Sequence, residues 1–429
     1  MTFFELHNVE YGECAVLGAE HEILMVDCGS MNRRIRAGDV DFFDSVTGGI
    51  MPRYADVPER SFLLTHCHRD HICGFWRILD TDPGYFDRVF LPAAPRGTDG
   101  RPLLLEFALY VFVFLNRLTG YAKANAGEVR LLCRAARAVG PRRVFPLRAG
   151  DSFLFGGAEY EVLWPRAEDY PFSPALRALV ERADALLSAP LLPACAADFL
   201  RLKRQICAAY LACCGRSPVA REDADALDLL LARLADLVPR LLLTPPAREL
   251  VALLSSSAAQ ETYSDELNAA SVVFQNRREG SGGFDDILMT GDAMPRTFGA
   301  IEDLLYDGYY ILKAPHHGTA GAFSPLLEQV AAAHIAVSNG DYPPGGEIAA
   351  AYAGLPGVRH CTNRSACAAF RGGGCCCGRF AFCGEQPGPG ALTVRCPACR
   401  PGGPPPPCAV RVVSPLGVRA CLCDLPAQK

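Results

Sequence analysis

An apolar run of strand length, "SFLLT" at residues 61–65, leads directly into "HCHRDH" at residues 66–71. This junction constrains the chain more than any other feature. His66, His68, Asp70 and His71 fall within six positions, in a protein that has nine histidines in all. One such residue at a strand end is ordinary; four are not. Imidazole nitrogen and carboxylate oxygen are donors that suit zinc, manganese or iron(II). His66 and His68 lie two apart, so from an extended turn both rings reach one side. Asp70 and His71 follow after enough chain to turn toward a second point. The spacing suits two adjacent metal ions, placed at the C-terminal end of a buried strand as in many α/β sheets.

Two later stretches repeat the pattern. "ILMTGD" ends an apolar strand on Gly291 and Asp292, and "YYILKAPHHGT" ends another on His316, His317 and Gly318. All three could converge on one sheet edge. Arg69, Lys313 and Thr319 flank these donors and are candidates to hold a phosphate.

The His-x-His-x-Asp-His cluster, the later Gly-Asp and the terminal His-Gly resemble the metallo-β-lactamase fold superfamily. The stretches "ELNAASVVFQ", "DDILMTGD", "YYILKAPHHGT" and "HIAVSNGDY" are similar, more narrowly, to the hydrolase domain of ComEC-type competence DNA-uptake proteins. The resemblance implies an α/β fold, an αββα four-layer sandwich, over residues 1 to about 100, 141 to 166 and 261 to 345; the helical insertions and a Cys-rich C-terminal tail lie outside it. It implies His66 and His68 as ligands of a first metal, Asp70 and His71 of a second, and Asp292 as the bridge. The last histidine ligand in the family precedes a glycine, which favours His317 and leaves His316 as a supporting or alternative ligand. Asp27 matches an acid that supports the site through hydrogen bonds. Asn268 and Ser271 match a polar pair that contacts substrate. Two departures stand out. No histidine lies between His71 and His316, so the first metal has only His66, His68 and Asp292 from the protein; and Pro343-Pro344 stands where the family often carries His-Pro.

Two divalent ions sharing a water make hydroxide available near neutral pH, so hydrolysis by a metal-activated hydroxide is the expected reaction. Asp70 is the candidate to orient the hydroxide and shuttle its proton. Zinc is the first choice of metal, with manganese and iron(II) as alternatives. A phosphodiester is the expected substrate, in single-stranded nucleic acid or a small molecule. A lactonase or esterase, and a metal-holding but weakly catalytic binding module, are the alternatives.

The organisation follows the same landmarks. Residues 1–100 read as the first half of a metallo-hydrolase core, 101–140 as a helical insertion and 141–166 as core strands. Residues 167–260 read as a second helical insertion, rich in Ala, Leu and Arg, and 261–360 as the second half of the core. The tail, 361–429, holds eleven of the twenty cysteines among Gly and Pro. Its "CPAC", Cys396 and Cys399, is half of a zinc knuckle. The partner pair could be Cys421 and Cys423, Cys375 to Cys377, or Cys361 and Cys367, giving a candidate structural zinc.

A net charge of −5 gives no general attraction to nucleic acid or anionic membrane. The most apolar run, Leu103 to Leu115, is too short to span a bilayer and contains Glu106. "MTFFELHNVEYGEC" lacks the basic start and apolar core of a secretory signal, so the expectation is a cytoplasmic protein with reduced thiols and no membrane partner.

Overall fold

The computed structural model describes residues 3–35, 40–115, 127–189, 192–276, 287–340, 348–355, 358–362, 393–395 and 409–413. It divides into two compact units, residues 1–87, 150–164 and 271–429 in one and residues 88–149 and 165–270 in the other.

The first unit contains two groups of strands. One runs β12 (Thr393–Arg395), β13 (Ala409–Val413), β1 (Phe3–His7), β2 (Ala15–Gly18), β3 (Glu22–Val26) and β4 (Glu59–Leu63). Its neighbours are antiparallel except β3 and β4, which pair in parallel. A parallel pair needs a crossover, and residues 27–58 supply it, with helical turns over 42–53. The other is a seven-stranded sheet in the order β11 (Val358–Cys361), β10 (Ala331–Val337), β9 (Gly308–Lys313), β8 (Ile287–Met289), β7 (Val273–Asn276), β6 (Ala158–Trp164), β5 (Ser152–Phe155). Strands β8 to β11 are parallel and β5 to β8 antiparallel. Gly156 and Gly157, both at positive φ, make the tight β5–β6 hairpin that their pairing predicts. β3 and β8 are buried along nearly their whole length, and β4 over its last three residues, so these stretches carry no polar–apolar alternation.

Helix α1 (Arg69–Thr81) follows β4 directly. Ile72, Phe75, Ile78 and Leu79 recur at helical spacing and form its buried face. The Phe75 ring stacks on Phe62 of β4 at 4.0 Å, which pins the helix start to the strand end. The result is an α/β architecture built on two groups of strands.

The second unit is mostly helical: α2 (Leu103–Phe114), α3 (Gly127–Val139), α4 (Pro174–Leu187), α5 (Ala194–Cys214), α6 (Arg221–Leu241), α7 (Ala247–Ser255) and α8 (Ser257–Ala269), with a parallel pair of strands, Arg88–Pro92 and Val144–Leu147. Helix α8 spans the boundary expected at residue 260. Helix α2 is apolar all round and almost fully buried. Its one acid, Glu106, is compensated by Arg101 at 2.6 Å and Lys203 at 2.6 Å, as a buried charge requires. No described helix is long and apolar enough to cross a membrane.

Candidate metal centre

Three strand ends of the first unit deliver the donors. Beyond β4 the chain stays extended through Thr65 to His68, and His68 caps α1. Asp70 and His71 therefore sit in the first helical turn, where a carboxylate also suits the helix dipole. Beyond β8, Gly291 turns at φ +50, with its Cα so close to Thr65 and Ser271 that an added Cβ would meet theirs at 2.9 and 3.0 Å. Asp292 is thereby aimed back at the β4 end. Beyond β9, His316 and His317 both adopt left-handed backbone, at φ 45 and 56. Such conformations are costly for residues with a Cβ and concentrate at functional sites. Asn339 holds this turn by donating from Nδ2 to the His317 carbonyl at 2.8 Å. Thr290 ties the β8 and β9 ends by donating to the Lys313 carbonyl at 2.7 Å.

The convergence yields two donor groups, His66 with His68 and Asp292, and Asp70 with His71 and His317. Within each, the donor atoms lie within 4.8 Å of one another, so each could hold a metal ion. Asp292 reaches both: its Oδ2 is 3.2 Å from His71 Nε2, 3.7 Å from His317 Nε2 and 3.8 Å from His66 Nε2. His317 Nε2 also lies 3.2 Å from Asp70 Oδ2. His316 Nε2 is 3.7 Å from Asp292 Oδ2 on a partly exposed side chain.

Supporting groups fix these rings from behind. Asp27, fully buried at φ 57, accepts from the Thr65 amide and hydroxyl, each at 2.7 Å, and its Oδ2 lies 2.7 Å from His71 Nδ1. That leaves His71 Nε2 facing the donor cluster. Ser271 Oγ lies 3.2 Å from His66 Nδ1 and accepts from the Asp292 amide at 3.1 Å. His317 Nδ1 faces the Ser338 carbonyl at 3.1 Å, and the Tyr11 ring packs 4.5 Å from its own.

Divalent cations fit this arrangement on two counts. Asp27, Asp70 and Asp292 are three buried carboxylates in one small volume, which demands nearby positive charge. His71 Nε2, although 3.2 Å from Asp292 Oδ2, and Asp292 Oδ1 are both buried without a hydrogen bond. The titration behaviour agrees. Burial, reinforced by neighbouring imidazoles, holds His66 well below the usual histidine range, and His68 falls to about 4 for the same first reason. Both therefore offer free lone pairs at neutral pH. Burial would also lower His71, but Asp292 and Asp27 together lift it well above the usual range: with no metal, a proton takes the position of the cation. Burial would raise Asp70 and Asp292, yet the surrounding imidazoles hold both below the ordinary carboxylate range.

Among solved structures, the chain is similar to a metallo-beta-lactamase family protein from Thermus thermophilus. The two are 17% identical with a TM-score of 0.20, over 64% of this chain and 98% of that one. No protein-family model matches the sequence, and no curated protein does. At this distance the likeness says nothing about chemistry, which rests on the side chains themselves.

The structure brings His66, His68, Asp70, His71, Asp292, His316, His317, Asp27 and Ser271 together, but it redistributes the substrate contacts. Ser271 is engaged by His66 and Asp292 and serves the ligands. Lys313 is 1% exposed, with Nζ 2.6 Å from Glu13 Oε2 and donating to the Ala314 carbonyl at 2.8 Å. Its charge is compensated inside the protein, so the expectation that it faces a phosphate is corrected. Thr319 is also buried, its amide donating to the His316 carbonyl at 3.0 Å; only Arg69 of the flanking trio is exposed. Asn268 is buried in the second unit, and its Oδ1 has no hydrogen-bond partner. Cys67 is buried and belongs to neither donor group. Cys396, Cys399, Cys421 and Cys423 lie outside the described residues, as does Pro343-Pro344. Sequence reasoning missed Glu13, Thr65, Ser338 and Asn339. Glu13, an acid just before an apolar strand, was the one visible signal.

Proposed function

We propose that this chain is a metal-dependent hydrolase that cuts phosphodiester bonds, in single-stranded nucleic acid or in a smaller molecule. Asp292 carries the reading, because its Oδ2 lies within reach of imidazoles from both donor groups. His66, His68 and Asp292 would hold one divalent cation, and Asp70, His71 and His317 the other. Zinc is the first choice, with manganese or iron(II) as alternatives. Such a pair, when bound, brings the pKa of a water toward neutrality and polarises the bond to be cut.

The protein's own groups do the rest. Burial keeps His66 and His68 unprotonated. Asp27 locks the His71 ring so that Nε2 faces inward, a type of support that raises ligand basicity. Asp70 stays ionised and accepts a hydrogen bond, fixing the direction from which a water attacks. His316, its side chain 24% exposed, is with His68 one of the two partly open imidazoles of the cluster.

The enclosure of Lys313 and Thr319 leaves few cations for a phosphate, which keeps an ester or lactone substrate as the second reading. The test is turnover of bis-p-nitrophenyl phosphate, single-stranded DNA and an acyl-ester panel by the purified protein with Zn²⁺ or Mn²⁺, alongside Asp70→Ala and Asp292→Asn. Metal-dependent cleavage of the phosphodiesters, lost in both variants, is expected. Cleavage of the esters alone would move the assignment to an esterase. No turnover at all, with metal still bound, would make the chain a binding module.

A further inference from the structure

We infer that the second unit holds a phosphate-binding pocket of its own. A cavity of about 720 Å³ opens where the end of α3, the turn at residues 141–143 and the start of α6 come together. Three arginines line it, Arg142, Arg143 and Arg221, all of them exposed. None of the three makes a hydrogen bond or ion pair through its side chain among the described residues. Nearby arginines in the same unit are different: Arg137 pairs with Asp228 at 2.7 Å, and Arg216 with Glu222 at 3.0 Å. Glu222 is the one acid lining the cavity, and Arg216 already compensates it.

Like charges gathered around one concavity repel each other, and an anion inside it relieves that repulsion. Three guanidinium forks exceed what a single carboxylate can satisfy. They suit a phosphate, whose oxygens accept paired N–H donors. The cavity is larger than one phosphate, with Pro141 and Pro218 as apolar wall, so it has room for the phosphate of a nucleotide or for neighbouring phosphates of a strand. At the start of α6, Ala220 offers no side-chain acceptor to the first-turn amides, which adds backbone donors to the same wall.

The charge of the whole unit points the same way. It carries 22 Lys and Arg against 17 Asp and Glu, a net +5, inside a chain whose net charge is −5. The acidic balance of the chain therefore conceals a basic unit. This inference stands whether or not the metal centre hydrolyses anything.

The experiment compares the full-length protein with the Arg142→Ala/Arg143→Ala/Arg221→Ala variant. A fluorescent oligo-dT with phosphorothioate linkages is followed by anisotropy across a salt series, and pyrophosphate is titrated by calorimetry. Arg233→Ala, an exposed arginine elsewhere on α6, controls for general surface charge. For a strand, the triple variant should bind about tenfold more weakly, and its log-log salt slope should shrink by about 2. Loss in both arms assigns the pocket to a strand, and loss with pyrophosphate alone assigns it to a free phosphate compound. Unchanged binding in both arms overturns the inference, as does an equal loss in Arg233→Ala. Turnover of bis-p-nitrophenyl phosphate, measured on the same samples, reports the metal centre separately.

Discussion

Lys313→Met and Glu13→Gln each remove half of one buried ion pair; both should destabilise the protein, the first in a pH-dependent way. Nζ and Oε2 are 2.6 Å apart, with side chains 1% and 2% exposed. The partner left behind must either stay charged and unpaired, at a cost of roughly 3–5 kcal/mol, or become neutral. From an ordinary carboxyl pKa of about 4.3, protonating Glu13 at pH 7 costs about 3.7 kcal/mol. At pH 5 that figure falls to about 1 kcal/mol. Burial already raises the Glu13 pKa against the pull of Lys313, and Lys313→Met raises it further. A carboxyl with a raised folded pKa contributes its full stability below the unfolded pKa and loses it as pH rises toward the folded one. Lys313→Met should therefore lie nearest wild type at pH 5 and fall behind by pH 7. Urea unfolding at pH 5, 7 and 9, followed through Trp76 and Trp164, reads this out, since both tryptophans belong to the first unit. The double variant should lose less than the sum of the singles. Two small, equal, pH-independent losses would mean that the pair is hydrated, and the reasoning from burial would be wrong.

Three further outcomes follow from the same geometry. Asp27→Asn weakens the hold on His71 and should lower metal affinity about 10- to 100-fold, measured by competition with a chromophoric chelator. Gly291→Ala forces a Cβ to 2.9 Å from that of Thr65 at φ +50; a loss of about 1–3 kcal/mol and a metal content below wild type by mass spectrometry are expected. His7, His68 and His334 are each lowered to about 4, with burial the largest cause. Their neutral forms support the fold fully above the unfolded value of about 6.5, and that support is lost as pH falls toward 4. Metal-free protein should therefore weaken steadily across this window, and His334→Gln should make the decline shallower in unfolding curves taken at successive pH values.

Much of this was legible in the chain itself. Apolar runs of strand length marked β3, β4, β8 and β9, because strands buried on both faces carry no alternation to hide them. The donors at 66–71 announced a metal centre because four such groups in six positions serve no ordinary packing role. Lys313 misled for a physical reason: a lysine beside a ligand reads as a substrate contact unless its partner is known, and Glu13 lies 300 positions away. Arg142, Arg143 and Arg221 went unnoticed because they lie in separate stretches, the first two in a turn ahead of a strand and the third at a helix start, and no local pattern joins them.

The sequence alone determined the chemistry on offer, since imidazoles and carboxylates keep their donor atoms whatever the fold. Tertiary structure alone decided which of them meet. His317 approaches Asp70 across 247 positions, and Ser271 approaches His66 across 205. No local periodicity encodes those distances, because they depend on which strands pair and in what register. The same packing decided which charges are neutralised inside the protein and which stay free for a ligand.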